Sequence, residues 1–599
     1  MMRNFTGMVS SVMSSRNGHT EPPIRDICLV CDQSMALSDL YATMRVCPIC
    51  RFHYSLTARE RIASLADAES FREINRSVSS LDPLSFSSRG SYKQRIFKDQ
   101  RRTGLTEAVV TGRCSISGSP VMLIALDFGF MGGSMGCVVG EKIALALEQA
   151  AKRNLPVIAV ITSGGARFQE GVLSLMQMAK TSIAAVQLAK KGLPFIVVLA
   201  NPATGQAYAS FASLADIIVA EPEAIVGFSS VRALQEAADD PLPRSSQTAE
   251  AHLRSGLIDG IVDRSKLRTL IAVILDNLGR KYRLTAAEKS PKLAIEPQKT
   301  EAWDYVRLAR HEDRPTSSDY IRNMFGNFVE IHGDRASEDD ESVICGFGQL
   351  GGLTVMAVGQ ERLKDSGKGI PPSGFRKAQR AFDMAEKFSL PIVTLLDSTG
   401  PDVSLESEQH GMGGAIATTI ARLSGLSTPT IAVVIGEGGS EAALAFGVAD
   451  RVLMMENAIY STISPEGAAE LIYQDEGRAD EVAESLKLTA HDCREYGIVD
   501  LLVQEPPGGA HTDHDESARQ LRRVLLQEMS EIQSKSARGL LKDRYRKFRN
   551  MGEYSSYFRA AINREASALQ GFVSSGVRRI ARRQHSEQTE PPQSAAMFD

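Results

Sequence analysis

A chain of 599 residues, 43% hydrophobic and 23% charged, exceeds one ordinary hydrophobic core and has the makeup of a soluble globular protein of roughly two to four domains. Its formal net charge of −4 excludes a general attraction to nucleic acid or to an anionic membrane surface. Eight cysteines in so long a chain exclude a disulfide scaffold, and no run approaches the roughly 20 unbroken apolar residues that span a bilayer.

In chain order, residues 1–25 read as a disordered leader on a cytoplasmic protein. "MMRNFTGMVSSVMSSRNGHT" has no acidic residue and carries Arg3 and Arg16, which leaves a short organellar presequence as the alternative, and it lacks the apolar centre of a secretion signal. Residues 26–54 form a compact unit around Cys28-x2-Cys31-x15-Cys47-x2-Cys50. Each CxxC pair can clamp one side of a tetrahedral zinc, and four thiolates leave no open position. The expected ion is therefore a structural Zn2+ rather than a catalytic one. Cys114, Cys137, Cys345 and Cys493 are scattered, as suits a reducing compartment with one metal site. Arg25, Arg45 and Arg51, beside Phe52, His53 and Tyr54, admit a nucleic-acid contact or a cap on a neighbouring domain, and capping is favoured.

Residues 55–285 begin as polar sequence and from about 95 continue as an α/β block. A linker rich in Pro, Lys and Glu follows at 286–302. A second block fills 303–550: α/β sequence to about 510, then a helix in "ESARQLRRVLLQEMSEIQ" with an apolar stripe at Leu521, Val524, Leu525 and Met529. Residues 551–599 read as a helical and disordered tail.

The two blocks repeat one another. "NLPVIAVITSGG" (154–165) matches "SLPIVTLLDSTG" (389–400), and "LPFIVVLANPATGQAYASFASLADIIVAEPEAIVGF" (193–228) matches "STPTIAVVIGEGGSEAALAFGVADRVLMMENAIYST" (427–462). Asp216 pairs with Asp450 in this comparison, and Ala224 with Ala458. A repeat of this length points to two copies of one domain, since solenoid periods are about 20–50 residues. Apolar runs without alternation indicate strands covered on both faces.

Glycine pairs follow buried strands in each block, in "SGGAR" and in "GEGGS". Such a pair can present adjacent backbone N–H groups to a ligand with no side chain in the way. Phosphate is one target, but neither GxxxxGK[ST] nor a dinucleotide GxGxxG unit is present. A developing oxyanion is the other, and a simple tight turn is the plain alternative.

With these residues in place, the chain resembles a known family. "GSMGCVVGEK", "SGGARFQEG", "MAKT", "ASLADIIVAEP" and "GLIDGIVDR", behind a four-cysteine ribbon, resemble the β subunit of bacterial acetyl-CoA carboxylase carboxyltransferase. "FVEIHGDR", "GFRKAQRAFDMAEKFSLPIVTLLD", "IGEGGSEAALAFG", "YSTISPEGAAELI", "LKLTAHDCREYGIVD" and "EPPGGAH" resemble the α subunit. The resemblance covers roughly residues 25–550 and implies a natural β–α fusion. It implies an α/β fold of two crotonase-like domains, each a spiral of ββα units, preceded by a small zinc ribbon.

The resemblance also supplies an expected chemistry. Carboxyl passes from carboxybiotin, carried on a separate biotin carboxyl carrier protein, to acetyl-CoA, giving malonyl-CoA. Gly164 and Gly165 would hold the thioester oxygen, and Gly438 and Gly439 the biotin ureido oxygen. Gly132, Gly133, Ser134, Met135 and Gly136, with Gly205, would line the acyl-CoA side. Arg167 and Arg376 have two open readings: a CoA phosphate or carboxylate partner, or an intramolecular salt bridge. Glu437 and Glu441 are read as structural or solvated, His410 and His332 as ordinary histidines, and "KDRYRKFR" (542–549) as a solvated basic face. The chain has no biotinyl-lysine "MKM" and no ATP-grasp region, so biotin carboxylase is an expected separate partner. A homodimer replaces the family's heterotetramer, with no membrane and at most a secondary nucleic-acid role.

Four stretches depart from the family pattern: "DSTGPDVS" for "DTPGAYPG", "GIPPSGFRKA" for "GxPxPEGYRKA", "GQERL" (359–363) for "GHQKG", and Glu441 where Gly is usual. They leave open a carboxyltransferase for another short acyl-CoA in a specialised pathway. A biotin-dependent acyl-CoA decarboxylase is the other enzymatic alternative. A crotonase-type hydratase would need a carboxylate pair near Gly165, and a zinc-ribbon nucleic-acid binder would show steeply salt-dependent affinity.

Overall fold

The computed structural model describes residues 27–551 apart from 81, 87–90, 230–233, 236–242, 244, 280–283, 285–300 and 364–368. The expected leader, nearly all of the linker, and the tail beyond 551 lie outside the described residues. The chain divides into two units, Met1–Leu541 and Lys542–Asp599. Of the second, only residues 542–551 are described, mainly the end of the helix Ala537–Asn550.

The first unit holds two sheets. In the first, β1 (Arg72–Ile74), β2 (Val109–Ile116), β3 (Ser119–Leu126), β4 (Val157–Gly164), β5 (Phe195–Thr204), β6 (Ile217–Ala220) and β8 (Gly260–Ile261) lie side by side, and β7 (Val226–Gly227) pairs β5. The second repeats this order with β9 (Gly326–Ile331), β10 (Val343–Leu350), β11 (Leu353–Gln360), β12 (Ile392–Ser398), β13 (Thr430–Gly439), β14 (Arg451–Met455) and β16 (Leu501–Val503), while β15 (Ile459–Ser461) pairs β13. In each sheet the first two pairings are antiparallel and the rest parallel. The register even shifts at matching places, Ile161/Ser163 and Leu396/Ser398. The duplication read from the sequence is thus a duplication of topology, strand for strand.

Local chemistry explains these strands. β11, β12 and β13 are buried at every residue, as unalternating apolar runs in a covered parallel sheet require. The prolines that lead the strands stand where no ladder N–H is needed. Their carbonyls still accept: Met122 N donates to Pro156 O, Val157 N to Pro194 O, and Ile392 N to Pro429 O. Asp216 and Asp450 do the same work, since their carboxylates accept from the first N–H of β5 (Phe195, 2.8 Å) and of β13 (Thr430, 2.9 Å).

Five helices carry site or docking residues in the first half and at its border. These are α1 (Ala58–Leu65), α2 (Cys137–Arg153), α3 (Gly171–Ala189), α4 (Arg264–Gly279) and α5 (Ala302–Ala309). The second half adds α6 (Pro372–Phe388), α7 (Ser440–Gly447), α8 (Pro465–Tyr473) and α9 (His514–Ile532). Helix α9 buries the expected Leu521, Leu525 and Met529. Val524 is half-buried.

The expectation that no unbroken apolar run reaches a bilayer span holds, although one helical stretch passes a looser test of length and composition. Residues 168–189 are long and apolar enough by length and composition, yet only a third of that window is buried. The run escapes an unbroken-apolar criterion because Gln177, Lys180 and Thr181 interrupt it. Helix α3 packs along α2 and leaves Val172, Leu175, Met176 and Ile183 exposed.

The halves join at an acidic edge of the first sheet. Lys387 of α6 reaches both oxygens of Asp216 at 2.6 and 2.8 Å. Arg380 reaches Asp259 at 2.8 Å, and Arg335 pairs with the same carboxylate. Backbones touch at the seam: a Cβ on Gly333, φ +76°, would fall 2.0 Å from Gly256 O.

The cysteine ribbon docks on the first half through buried charge. Glu221 lies between Arg61 of α1 and Arg264 at the start of α4, and both arginines grip it with two nitrogens. Arg264 also donates to Met44 O (2.6 Å) and Tyr54 O (2.9 Å), and His53 Nε2 accepts from Arg264 N. Arg51 pairs with Asp263 at 2.6 Å. Of the ribbon residues that admit two readings in the sequence, Arg51, His53 and Tyr54 contact the neighbouring sheet domain, and Arg25 lies outside the described residues.

Candidate active site and metal site

The first glycine pair lies where two strand ends meet. Gly164 ends β4, Gly165 follows with φ +116°, and Gly205 follows β5 with φ +72°. A Cβ on Gly205 would sit 2.5 Å from Gly165 Cα, so only glycine allows the approach. The 132–136 loop is laced to the same point: Met135 N donates to Gly165 O (2.8 Å) and Arg167 N to Met135 O (3.0 Å). Gly133, φ +63°, presses on β4, with its missing Cβ 2.2 Å from Thr162 O. The structure thus brings Gly132, Gly133, Ser134, Met135 and Gly136 together with Gly164, Gly165 and Gly205. Gly165 N–H rests on Ser163 Oγ at 3.2 Å, a long bond that a better-placed ligand oxygen can replace.

Arg167 takes the intramolecular reading. Its side chain is fully buried, with Nη1 2.7 Å from Glu107, Nη2 2.9 Å from Ser134 O and Nε 3.1 Å from Ser134 Oγ. Burial works against its charge, and Glu107 more than restores it, holding the pKa above the usual arginine range. Glu170, also buried, accepts from Tyr92 Oη and Cys137 N. Arg167 is therefore an internal brace for the 132–136 loop. Sequence reasoning misses Glu107 and Tyr92, which lie 60 and 78 residues from Arg167 and Glu170 and leave no spacing signal, and with them the role of Glu170.

The second glycine pair sits one strand over. Ser163 aligns with Ala203 across β4 and β5, and Ser398 with Gly438 across β12 and β13. Gly164–Gly165 therefore corresponds to Thr399–Gly400, and Gly438–Gly439 to Ala203–Thr204. Each half still forms the same junction of two strand ends, with a Ser hydroxyl accepting from the glycine two residues on, Gly165 N (3.2 Å) or Gly400 N (3.1 Å). A Cβ on Gly439 would meet Ser398 O and Thr399 C at 2.4 Å. A small solvent-open hollow lies here, bordered by Thr399, Gly438, Gly439, Ser461, Ser464 and Pro465. Ser440, φ +54°, starts α7 in a left-handed conformation that a non-glycine residue holds only under strain.

Behind this junction is a charged chain that the sequence does not reveal. Asp397, fully buried, accepts from Glu437 N at 2.9 Å. Its Oδ2 has no hydrogen bond, and Arg362 Nε stands 3.7 Å away. Burial pushes its carboxyl from 3.8 up to about 6, with Arg362, Arg314 and the Glu437 N–H opposing and the Glu437 carboxylate adding to the rise. Arg362 also donates to the carbonyls of Ala309 and His311, and Gln360 donates to Ala442 O at 2.7 Å. The "GQERL" departure is thus in contact with the elements that carry two of the other departures, β12 through Asp397 and α7 through Ala442. Arg376 is occupied by Asp334 (2.8 Å), and His332 by Asp339 (2.7 Å). Glu437 is buried and ion-paired, as its structural reading requires, whereas Glu441 bonds only its neighbour Ser440.

A raised carboxyl pKa has a defined sign. The neutral form suits the fold, so this contribution is complete below about pH 4 and is lost as pH rises through 6. Asp397→Asn is expected to remove that slope. Unfolding free energies of the two proteins, measured from pH 4 to 7.5, should diverge in favour of Asn by roughly 3 kcal/mol, and parallel curves would refute it.

At the ribbon, the sulfurs of Cys28 and Cys50 are 3.7 Å apart, those of Cys31 and Cys47 3.8 Å, and all four lie within 4.8 Å of one another. Sulfurs about 2.3 Å from a central tetrahedral zinc stand about 3.8 Å from each other, so the donor set fits that ion.

Comparison with known proteins agrees with this geometry. A family model described as acetyl co-enzyme A carboxylase carboxyltransferase-like matches residues 284–552. A protein of Natranaerobius thermophilus named acetyl-coenzyme A carboxylase carboxyl transferase subunits beta/alpha is 38% identical over 566 residues, covering 90% of this chain and 93% of its own. Its namesake in Saccharopolyspora erythraea is 40% identical over 534 residues, covering 88% and 94%. Among solved structures, transcarboxylase 12S with methylmalonyl-coenzyme A aligns at a TM-score of 0.64 and 24% identity, over 80% of this chain and 91% of that one. That likeness establishes the fold.

Proposed function

We infer the reaction from the family: the chain belongs to the acetyl-coenzyme A carboxylase carboxyl transferases, with beta and alpha parts in one chain, and is a carboxyltransferase. It makes malonyl-CoA from acetyl-CoA, working with a biotin carboxyl carrier protein and a separate biotin carboxylase. Biotin, when present on its carrier, supplies the carboxyl group and a ureido oxygen. The observation that carries the residue-level reading is the repeated junction of glycine-bearing strand ends, one in each half.

In this reading residues 55–285 handle the acyl-CoA and residues 303–550 the carboxyl donor. Gly164 and Gly165 N–H groups steady the thioester oxygen as charge develops on it during loss of the α-proton. The 132–136 loop and Gly205 shape the same pocket, and Arg167 keeps that loop in place from behind. Gly438 and Gly439 N–H groups face the donor oxygen. Such donors act through preorganisation, and the α-proton would pass to the biotin nitrogen freed as its carboxyl group leaves, so no side-chain base is required. The departures from the family pattern gather on the donor side, which favours an unaltered acyl partner. Zinc at Cys28, Cys31, Cys47 and Cys50 holds the ribbon as a cap. Four cysteines gathered at one metal site, with Cys114, Cys137, Cys345 and Cys493 scattered along the chain, support a reducing, cytoplasmic location. The exposed apolar face of α3, with Leu471 and Ile472 exposed in the other half, supports a homodimer.

The test is malonyl-CoA-dependent carboxylation of biocytin by the purified protein, with and without Gly438→Val. The wild type is expected to be active and the variant to lose about 100-fold or more, the scale of a lost oxyanion donor. An unaffected variant would remove the donor from this glycine pair. Activity confined to another acyl-CoA would change the substrate.

A further inference from the structure

We propose that Arg310 is a positioning residue that sets the width of the carboxyl-donor pocket, by tying the strand end at its floor to the helix that forms its wall. The inference rests on the reading that biotin enters at Gly438 and Gly439. Arg310 caps α5, the first described helix after the linker region. Its Nε and Nη2 hold both oxygens of Glu437, at 2.8 and 2.7 Å, and its Nη1 holds Glu466 at 2.6 Å. Glu437 immediately precedes Gly438 and borders the hollow. Glu466 is in the first turn of α8, whose leading residues Ser464 and Pro465 border it from the other side.

The planar guanidinium suits this task, because its fork fixes one carboxylate in two places and leaves a third donor for the second. Glu437 is then held from both ends, its N–H by Asp397 and its carboxylate by Arg310. Burial opposes the arginine's charge, and the two glutamates outweigh it. Without Arg310 two carboxylates would face each other across the pocket rim, and their repulsion would move α8 away from β13. No side chain in this clamp reaches a reacting atom, so its effect falls on how well the donor is seated.

The experiment measures steady-state kinetics of malonyl-CoA-dependent biocytin carboxylation for wild type, Arg310→Ala, Arg310→Lys and Glu466→Gln, with Gly438→Val alongside. Loss of the clamp is expected to raise KM for biocytin about tenfold or more, as displaced positioning groups do, with KM for malonyl-CoA within about twofold. Lysine cannot grip Glu437 bidentately and should rescue only in part, whereas Glu466→Gln keeps an acceptor and should stay within about threefold of wild type. An unchanged biocytin KM in Arg310→Ala, while Gly438→Val is inactive, overturns the clamp and leaves the donor site standing. A parallel loss for both substrates with a lowered unfolding midpoint also overturns it, since that marks a purely structural role. Full activity of Gly438→Val would instead remove the donor-site reading on which the clamp depends.

Discussion

Glu221→Ala is expected to be the most destabilising single substitution outside the glycine junctions. It would strand two guanidiniums, those of Arg61 and Arg264, whose side chains are 4% and 2% exposed. Removing one partner of a buried ion pair costs about 3–5 kcal/mol because a charge remains without compensation; here two would remain. Burial by itself would raise the Glu221 carboxyl, but the two arginines override it and hold it well below the usual range. Its contribution is therefore present above the ordinary carboxylate pKa of about 4.5 and is lost as the solution becomes strongly acidic. Thermal unfolding at pH 7 should show the loss directly, and proteolysis should find the 55–60 connection newly open, because Arg264 also holds the ribbon. A variant as stable as wild type at pH 7 would show that Arg61 and Arg264 find other partners.

Gly439→Ala should lower activity by about 100-fold or more while leaving most of the fold intact. The backbone of Gly439, φ −86°, suits any residue, so the obstacle is steric alone. The added Cβ would lie 2.4 Å from Ser398 O and Thr399 C. Backbone atoms cannot rotate away, and the ends of β12 and β13 would have to part. Gly438→Ala meets the Tyr460 ring at 2.9 Å and Ile459 O at 3.2 Å, a milder demand that a ring shift partly relieves. The expected order of residual activity is wild type, then Gly438→Ala, then Gly439→Ala, with the last down by about 100-fold or more. Equal activity in the two alanine variants would show that contact between the strand ends is not what the site requires.

Much of this architecture is legible in residue order. The CxxC pairs, the proline-led apolar runs and the matched Asp216 and Asp450 each state a local constraint that the fold obeys. The glycine pairs and their one-strand offset are also visible, since the repeat sets Gly164–Gly165 against Thr399–Gly400, whereas the close approach of the strand ends, such as Gly205 on Gly165, is not. Arg167 cannot be assigned from sequence, since Glu107 lies 60 residues away and only the folded sheet brings them together. Asp397 reads as part of a family motif, whereas the fold makes it a buried acid with one oxygen left without a hydrogen bond. The apolar face of α3 is hidden by its interrupting polar residues, which lie among the turns of a helix rather than at its ends.

The two matched aspartates stand in different surroundings. Asp450 accepts from both Thr430 N and Thr430 Oγ1. The matching position in the first half is Phe195, which offers only its N–H, and the Asp216 carboxylate turns to Lys387 instead. Asp450 thus keeps a bond to a threonine of its own half, while Asp216 receives a lysine from the other half. The joint between the copies is therefore heterologous: the edge of the first meets a helix of the second, and the matched edges do not meet each other.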